Sequence, residues 1–231
     1  MDLLWQGMAQ AFWLLINADS ELIRITLLSL GVSSMAVAIS ILTGMPIGAL
    51  LALTEFPGRR LLISFVNTGM GLPPVVVGLF VTMLLWRSGP LGFLELLFSP
   101  TAIVIAQVII ALPIVTGLTS AALQQLNPKL RLQLLALGAS RLQLLWLLLR
   151  EARLPLLAAI MAGFGGVISE VGAVMMVGGN IKGQTRVLTT AIVLESRMGH
   201  FDLAIALAVL LLLLSFMVNW ALTLIQQQHT S

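Results

Sequence analysis

The sequence predicts an all-α polytopic membrane protein with about five transmembrane helices. Of its 231 residues, 59% are hydrophobic and only 9% are charged, whereas a soluble domain usually carries about 25% charged residues. Five stretches are apolar over the roughly 20 residues that a helix needs to cross a hydrocarbon core of about 30 Å. These stretches cover residues 25–53, 61–86, 101–123, 154–177 and 203–225.

Turn-forming residues and charges separate the five stretches. The breaks contain Phe56-Pro57-Gly58-Arg59-Arg60, Ser88-Gly89-Pro90, Asn127-Pro128 and Gly178-Gly179-Asn180. Within the second span, the run from Gly69 to Pro74 predicts a helix break at mid-membrane, because proline lacks a backbone donor and clashes with the preceding turn. Pro113 predicts a similar disturbance in the third span.

Residues 1–20 precede the first span and contain three large aromatic side chains, Trp5, Phe12 and Trp13. We interpret them as an external segment that lies as a helix in the outer membrane interface, where tryptophan is favoured. A poorly ordered tail is the alternative. Residues 21–231 then form the transmembrane domain.

The distribution of basic residues predicts the orientation in the membrane, since cytoplasmic loops carry an excess of Lys and Arg. One face collects Arg59, Arg60, Lys129, Arg131, Arg141, Arg150 and Arg153, and the other collects Arg24, Arg87, Lys182, Arg186 and Arg197. The richer face is assigned to the cytoplasm, which places the N-terminus outside and the C-terminus inside. The formal net charge of +3 reflects this topology and does not indicate nucleic-acid binding.

The segment of about residues 125–153 is apolar but carries charges, which predicts one or two short helices at the membrane surface. A buried spanning helix is the weaker alternative. Asn127-Pro128 favours a helix start, Gly138 a helix end, and Ser140 the cap of a second helix. Such a pair of helices can present a compact knob to a soluble partner, although an ordinary basic loop that fixes topology fits equally well.

The fourth span carries a stripe of small residues, Ala158, Ala162 and Gly166, and Glu170 follows at the same spacing of four. Small residues at this spacing let helix backbones approach closely in a bilayer. A carboxylate within a span is costly and should face protein or water. We therefore interpret Glu170 as a residue near a pore or gate, with a buried helix–helix hydrogen bond as the alternative.

The loop over about residues 178–202 begins with a glycine-rich run that nearly matches a phosphate-binding loop. Gln184 stands where that motif needs a lysine, and the run follows a membrane helix where the motif follows a strand, so nucleotide binding is rejected. The hypothesis for this loop is an external gate that dips toward the pore axis, because irregular backbone at that depth needs surrounding protein or water. A plain surface turn is the alternative.

Several of these runs resemble a known family. The run Ala136-Leu137-Gly138-Ala139-Ser140-Arg141, with Trp146 and Leu154-Pro155, resembles the cytoplasmic EAA loop of ABC importer permeases. Leu132-Gln133-Leu134 replaces the Glu-Ala-Ala of that loop, and Leu154-Pro155 lies four residues later than its pattern. Residues 150–164, 168–173 and 178–185 resemble tungstate-type permeases, which are relatives of molybdate and sulfate permeases.

The resemblance implies a type I ABC importer permease of the prokaryotic plasma (inner) membrane that works as a homodimer. Its implied partners are two copies of an ABC ATPase subunit, an external substrate-binding protein and membrane lipid. The implied ATPase-coupling residues are Leu137, Gly138, Ala139, Ser140 and Arg141. The candidate pore and gate residues are Glu170, Gly172, Gly179, Asn180, Ile181, Lys182 and Thr185.

Two other functional classes are weighed against this one. An intramembrane enzyme needs convergent catalytic or metal-ligating groups, but the chain has no cysteine, only two histidines and no metal-binding helix motif. We therefore predict no catalytic residue, cofactor or metal site, and we expect ATP hydrolysis in a separate subunit. A secondary carrier or channel is the stronger rival, although Glu170 is the only clear acidic candidate within a span and no inverted repeat is evident. Tungstate is the favoured substrate, with molybdate or another oxyanion as the alternative.

Overall fold

The structure is a computed structural model that describes residues 20–227, which form ten α-helices and one short 3-10 turn at Gly92–Leu94. In chain order the helices are α1 (Ser20–Leu53), α2 (Arg59–Met70), α3 (Pro74–Leu85), α4 (Pro100–Gln124), α5 (Pro128–Ala136), α6 (Arg141–Glu151), α7 (Arg153–Ile168), α8 (Gly172–Gly178), α9 (Leu188–Met198) and α10 (Phe201–Gln227). No strand occurs within residues 20–227, so the all-α class is confirmed. The predicted interfacial helix lies, except for Ser20, outside the described residues.

Three helices of the described chain are individually long and apolar enough to cross a membrane, namely α1, α4 and α10. Two bent pairs also qualify when each pair counts as one span. The axes of α2 and α3 differ by 103°, and those of α7 and α8 differ by 57°. The prediction of about five spans is therefore confirmed, and the second and fourth spans are broken helices. The two short helices α5 and α6 lie between spans three and four, as the sequence predicts.

The break between α2 and α3 falls where the sequence predicts it, over residues 71–73. The N–H of Gly71 donates to the carbonyl oxygen of Thr68 at 3.1 Å, and that of Leu72 donates to Gly69 at 3.3 Å. Pro73 and Pro74 have no N–H to satisfy. The N–H groups of Gly71 and Leu72 in the break therefore both have backbone partners, as irregular backbone at membrane depth requires.

The long helices α1 and α4 pack against each other through two glycines of α1. A Cβ atom on Gly48 would lie 2.5 Å from the carbonyl oxygen of Thr116, and one on Gly44 would lie 2.9 Å from the Thr116 hydroxyl. The two backbones thus approach as closely as small residues spaced by four allow. Pro113 does not interrupt α4, which is continuous from Pro100 to Gln124.

The main core lies between α1, α3, α4, α7 and α8. It contains fully buried side chains from each of the last four helices, including Val81, Ile103, Val167 and Val174. Many large apolar side chains on the outer surfaces are exposed, for example Leu42 at 74% and Phe80 at 61%. An apolar exterior of this kind suits a lipid environment or a further subunit, and soluble proteins seldom show it.

Candidate functional site

The segment between α4 and α7 folds into the predicted pair of short helices because each end carries the capping chemistry read from the sequence. Asn127 accepts a hydrogen bond from the N–H of Lys129 at 3.0 Å, with Pro128 in the first helical position. Gly138 adopts φ +82°, and its N–H donates to Leu135. Ser140 and Gln143 form a reciprocal capping box at the start of α6. The predicted start, stop and second start are all confirmed.

The coupling candidates, residues 137–141, lie in the turn that joins α5 to α6. Leu137 is 83% exposed, and Gly138, Ser140 and Arg141 are also exposed. The opposite side of α6 is fixed, since Leu144 and Leu148 pack among buried residues of α1 and α4. The turn thus projects from the protein on a helix whose buried side belongs to the same apolar cluster as residues of two long spans.

Glu170 does not extend the stripe of small residues, so that prediction is wrong. Helix α7 ends at Ile168, and the chain then bends into α8; the Ser169 hydroxyl donates to the carbonyl oxygen of Gly165 at 2.7 Å. Oε1 of Glu170 accepts a hydrogen bond from the N–H of Ala173 at 2.9 Å. The carboxylate therefore satisfies a backbone donor in the first turn of α8.

Gly172 begins α8 directly beside α3. A Cβ atom there would lie 2.6 Å from a methyl carbon of Val75, and the next close approach joins Gly78 of α3 to Ala173. The two broken spans therefore meet at their breaks. The hydroxyl of Thr189 also donates to the carbonyl oxygen of Glu170 at 2.9 Å, which ties the start of α9 to the same point.

The loop over residues 179–187 folds as a compact turn after α8. The Thr185 hydroxyl donates to the carbonyl oxygen of Gly178 and accepts a hydrogen bond from the N–H of Ile181 at 3.0 Å. Gly179, Asn180 and Gly183 have φ values of +69°, +52° and +75°. Glycine and asparagine tolerate this left-handed region best. The run that nearly matches a phosphate-binding loop is thus a turn that its own side chains close.

The charged residues of this loop contact the N-terminal end of α1. Nζ of Lys182 lies 2.7 Å from Oε2 of Glu21, and Nη1 of Arg186 lies 3.5 Å from Oε1 of the same carboxylate. Asn180 is half-buried, and its Oδ1 has no hydrogen-bond partner among residues 20–227. Sequence reasoning missed Glu21, because no local pattern relates residues 160 positions apart.

The same loop also contacts the segment before α4. The N–H of Phe98 donates to the carbonyl oxygen of Val177 at 2.9 Å, and a Cβ atom on Gly179 would lie 2.8 Å from the Phe98 ring. Sequence reasoning missed Phe98 for the same reason as Glu21. It also missed Gly44 and Gly48, although their spacing of four is a signal of close helix packing.

The structure divides the predicted site residues into two groups. The candidate pore and gate residues lie at the start of α8 and in the turn that follows it; they are Glu170, Gly172, Gly179, Asn180, Ile181, Lys182 and Thr185. The candidate coupling residues lie in the turn before α6 and at its first residue, and so lie toward the other end of this bent span, which begins with α7; they are Leu137, Gly138, Ala139, Ser140 and Arg141. Within residues 20–227, no group of three His, Asp or Glu side chains could hold a metal ion.

Three relatives are similar to the chain over most of its length. A tungstate uptake system permease protein of Peptoclostridium acidaminophilum is 39% identical over 228 residues, which is 99% of this chain and 100% of that protein. A probable anion ABC transporter permease protein of Haloferax volcanii is 44% identical and covers 86% of this chain and 88% of its own length. A tungstate uptake permease of Campylobacter jejuni is 38% identical, with 95% and 92% covered.

Sulfate and molybdenum transport permeases of Escherichia coli are more distant relatives, with 29% identity over 224 residues and 31% identity over 173 residues. Solved structures with the same fold include a chain of the inward-facing MetNI methionine ABC transporter. It has a TM-score of 0.75 and 19% identity, and the match covers 91% of this chain and 96% of that one. A bacterial ABC transporter involved in alginate import also gives a TM-score of 0.75 at 19% identity, with 98% and 88% covered.

These comparisons agree with the sequence resemblance. The relatives are permease proteins of transport systems, one of them named as part of an ABC transporter, and the predicted permease fold is confirmed by the solved structures. Residues 44–229 match the family described as binding-protein-dependent transport system inner membrane component. The chain belongs to this family and is an integral inner-membrane permease.

Proposed function

We propose that this chain is the membrane subunit of an ATP-driven importer of tungstate. The observation that carries the proposal is the 39% identity to a tungstate uptake permease over 99% of this chain and the whole of that relative. Similarity that continues from end to end favours a shared substrate more than similarity confined to a motif. A molybdate importer is the second candidate, since a molybdenum permease is 31% identical over 173 residues.

The translocation pathway forms between two copies of the chain. Five spans are few for an alternating-access pathway, and a symmetric pair supplies about ten around a two-fold axis. The exposed apolar residues of the bent pair α2 and α3 support this arrangement, among them Phe65, Leu79 and Phe80. An external binding protein delivers the oxyanion to the outer end of this pathway.

Two ATPase subunits drive the cycle through the turn that contains residues 137–141. This turn is exposed, but Leu144 and Leu148 of α6 are buried in one apolar cluster with residues of α1 and α4. A displacement of the turn by the ATPase would therefore be transmitted to two long spans. The basic residues around this turn favour a cytoplasmic location, which places the N-terminus outside and the C-terminus inside.

The outer gate consists of the break at Glu170 and Gly172 together with the turn over residues 179–187. The supporting geometry is the direct connection between them, because α8 has only the seven residues Gly172–Gly178. A rotation of α8 about the break would carry Gly179, Asn180, Ile181 and Lys182 with it. Thr185 closes the turn, so these residues would move as one body.

The test is ATP-dependent uptake by the complete system in proteoliposomes. The permease would be reconstituted with its ATPase subunit, ATP would be enclosed in the lumen, and the external binding protein and tungstate would be added outside. We expect tungstate to accumulate only with ATP, and to stop accumulating when the ATPase subunit is hydrolysis-deficient. Accumulation that follows an ion gradient without ATP would identify a secondary carrier and overturn the proposal. Competition with molybdate and sulfate would then rank the substrates.

A further inference from the structure

The outer end of α1 and the turn after α8 bring four charged side chains together. These are Glu21 and Arg24 of α1, and Lys182 and Arg186 of the turn. Each carboxylate oxygen of Glu21 has its own cation: Oε2 lies 2.7 Å from Lys182, and Oε1 lies 3.5 Å from Arg186. Glu21 therefore pairs with two cations, and Arg24 lines the same cavity, so these four side chains carry a formal excess of two positive charges.

A cavity of about 410 Å³ opens beside this cluster. It is lined by Ser20, Glu21, Arg24, Lys182 and Gly183. The Arg24 guanidinium lies close to the backbone of Gly183: a Cβ atom built on Gly183 would lie 3.5 Å from Nη1 of Arg24. Nε of Arg186 is buried and has no hydrogen-bond partner among residues 20–227. The cavity is therefore lined by donors for an anion, and a further donor beside it is unused.

The exposure of the Lys182–Glu21 pair indicates that this pair can be exchanged, whereas the Arg186 side chain is only 16% exposed. The Lys182 side chain is 68% exposed and that of Glu21 is 38% exposed, and ion pairs at such sites stabilise a protein only weakly. A tetrahedral oxyanion with two negative charges attracts the same cations more strongly than a carboxylate with one. The oxyanion also has four acceptor oxygens, whereas the Glu21 carboxylate has two.

The geometry points to Glu21 as an internal anion that occupies a site for the transported oxyanion. When a dianion of the tungstate or molybdate type arrives at the outer mouth, it displaces the Glu21 carboxylate from Lys182 and Arg186. This displacement separates the outer end of α1 from the turn over residues 179–187. The inference rests on the proposed function, because it takes an oxyanion as the substrate and this turn as the outer gate.

The binding test uses the full-length permease with its ATPase subunit in nanodiscs, without nucleotide and without the external binding protein. Sodium tungstate is titrated, and bound tungsten is measured by equilibrium dialysis and mass spectrometry. We expect Glu21→Gln to tighten tungstate binding about fivefold, since it removes a competing exposed ion pair. Lys182→Gln should weaken binding by a similar factor. Asp202→Asn and Arg197→Gln make the same changes in net charge away from the cavity and should leave binding unchanged.

The displacement test uses the natural absence of cysteine, which allows two spin labels without other substitutions. The labels are attached through Ile23→Cys in α1 and Gln184→Cys in the turn, both at exposed positions. Tungstate should shift the distance distribution measured by pulsed electron resonance, and Glu21→Gln should show the shifted distribution without tungstate. A Glu21→Gln variant that binds tungstate no more tightly than the wild type, a Lys182→Gln variant with unchanged affinity, or a distance that does not respond to tungstate would each overturn the inference.

The two proposals can fail separately. If the complete system accumulates tungstate with ATP but Glu21→Gln binds tungstate no more tightly than the wild type, the internal-anion inference is wrong and the transport function stands. If tungstate binding separates α1 from the turn over residues 179–187 but no ATP-driven uptake occurs, the internal-anion inference stands and the proposed transport function is wrong.

Discussion

The hydroxyl of Thr185 donates a hydrogen bond to the carbonyl oxygen of Gly178 and so closes the turn that follows α8. The same oxygen atom accepts a hydrogen bond from the N–H of Ile181. Thr185 is fully buried, so water cannot replace either contact. One side chain thus satisfies two backbone groups and fixes the shape of the proposed outer gate.

Replacing Thr185 by valine keeps the volume of the side chain and removes both hydrogen bonds. The carbonyl oxygen of Gly178 would then be buried without this partner, at a cost of about 1–3 kcal/mol. We expect Thr185→Val to lower the melting temperature of the detergent-solubilised permease and to reduce uptake. Thr185→Ser retains the hydroxyl and should behave much like the wild type. Equal stability of the valine variant would show that the turn does not depend on this oxygen.

Gly48 is predicted to be intolerant of even one added carbon. A Cβ atom there would lie 2.5 Å from a backbone oxygen of α4, whereas one on Gly31 in the same helix would meet no atom within 4 Å. We expect Gly48→Ala to cost about 1–3 kcal/mol through overpacking and Gly31→Ala to cost nothing. Size-exclusion chromatography after heating would compare them. Similar melting temperatures would contradict the close packing of α1 on α4.

Gly138 is predicted to be needed for coupling. A leucine at Gly138 would place a bulky side chain at the tip of the exposed turn between α5 and α6, and we expect ATPase activity without matching transport. Gly199 has the same φ of +82° and equally open surroundings. Gly199→Leu therefore carries the same backbone strain of about 1–2 kcal/mol away from the proposed ATPase contact.

The ratio of tungstate transported to ATP hydrolysed in proteoliposomes separates these two effects. Gly138→Leu should lower the ratio severalfold, and Gly199→Leu should leave it unchanged. A parallel fall in both variants would mean that strain, and not docking, explains the result.

Replacing Glu170 by glutamine should destabilise the protein less than replacing it by alanine. Glutamine keeps an oxygen that can accept the N–H of Ala173, whereas alanine leaves that donor without its partner at a cost of about 1 kcal/mol. We expect Glu170→Ala to lower the melting temperature and Glu170→Gln to preserve it. If the negative charge also serves the pathway, uptake by the glutamine variant will fall although its stability is normal. Normal uptake by this stable variant would restrict Glu170 to a structural role.

Asn180 is predicted to contribute to transport through its side chain. Asn180→Gly keeps the left-handed backbone at φ +52°, because glycine adopts this region freely, and removes the buried amide. We expect normal expression and melting temperature with slower tungstate uptake. Asn180→Val serves as the strained comparison and should lose stability as well. Unchanged uptake by the glycine variant at normal expression would remove Asn180 from the gate.

The local features of the fold could be predicted from the sequence. Proline and glycine restrict the backbone directly, and this is why the break before Pro74, the stop at Gly138 and the capping box at Ser140 fall where expected. Such signals act over a few residues and need no knowledge of the tertiary structure. The number of spans follows in the same way, because the thickness of the bilayer determines the length of each apolar stretch.

The contacts between distant residues could not be predicted. The helical spacing of Gly166 and Glu170 continues through Ile168 without interruption, yet the chain bends there to bring Gly172 against Val75 of α3. The pairing of Glu21 with Lys182 depends likewise on where the fold brings α1 and the turn after α8. Periodicity indicates which residues share a face of an ideal helix. Whether that helix continues is decided by its neighbours.

The bend between α2 and α3 has a consequence for biosynthesis. Each helix has 12 residues and is therefore about 18 Å long, well short of a hydrocarbon core of about 30 Å. Neither helix can partition into lipid as an independent span when it leaves the ribosome. Gly69 of this pair packs against Pro113 of α4, and Gly117 packs against Met70. Residues 59–85 are long and apolar enough to cross a membrane only as a pair, so the bend that holds them against α4 can form only after that later helix has been synthesised.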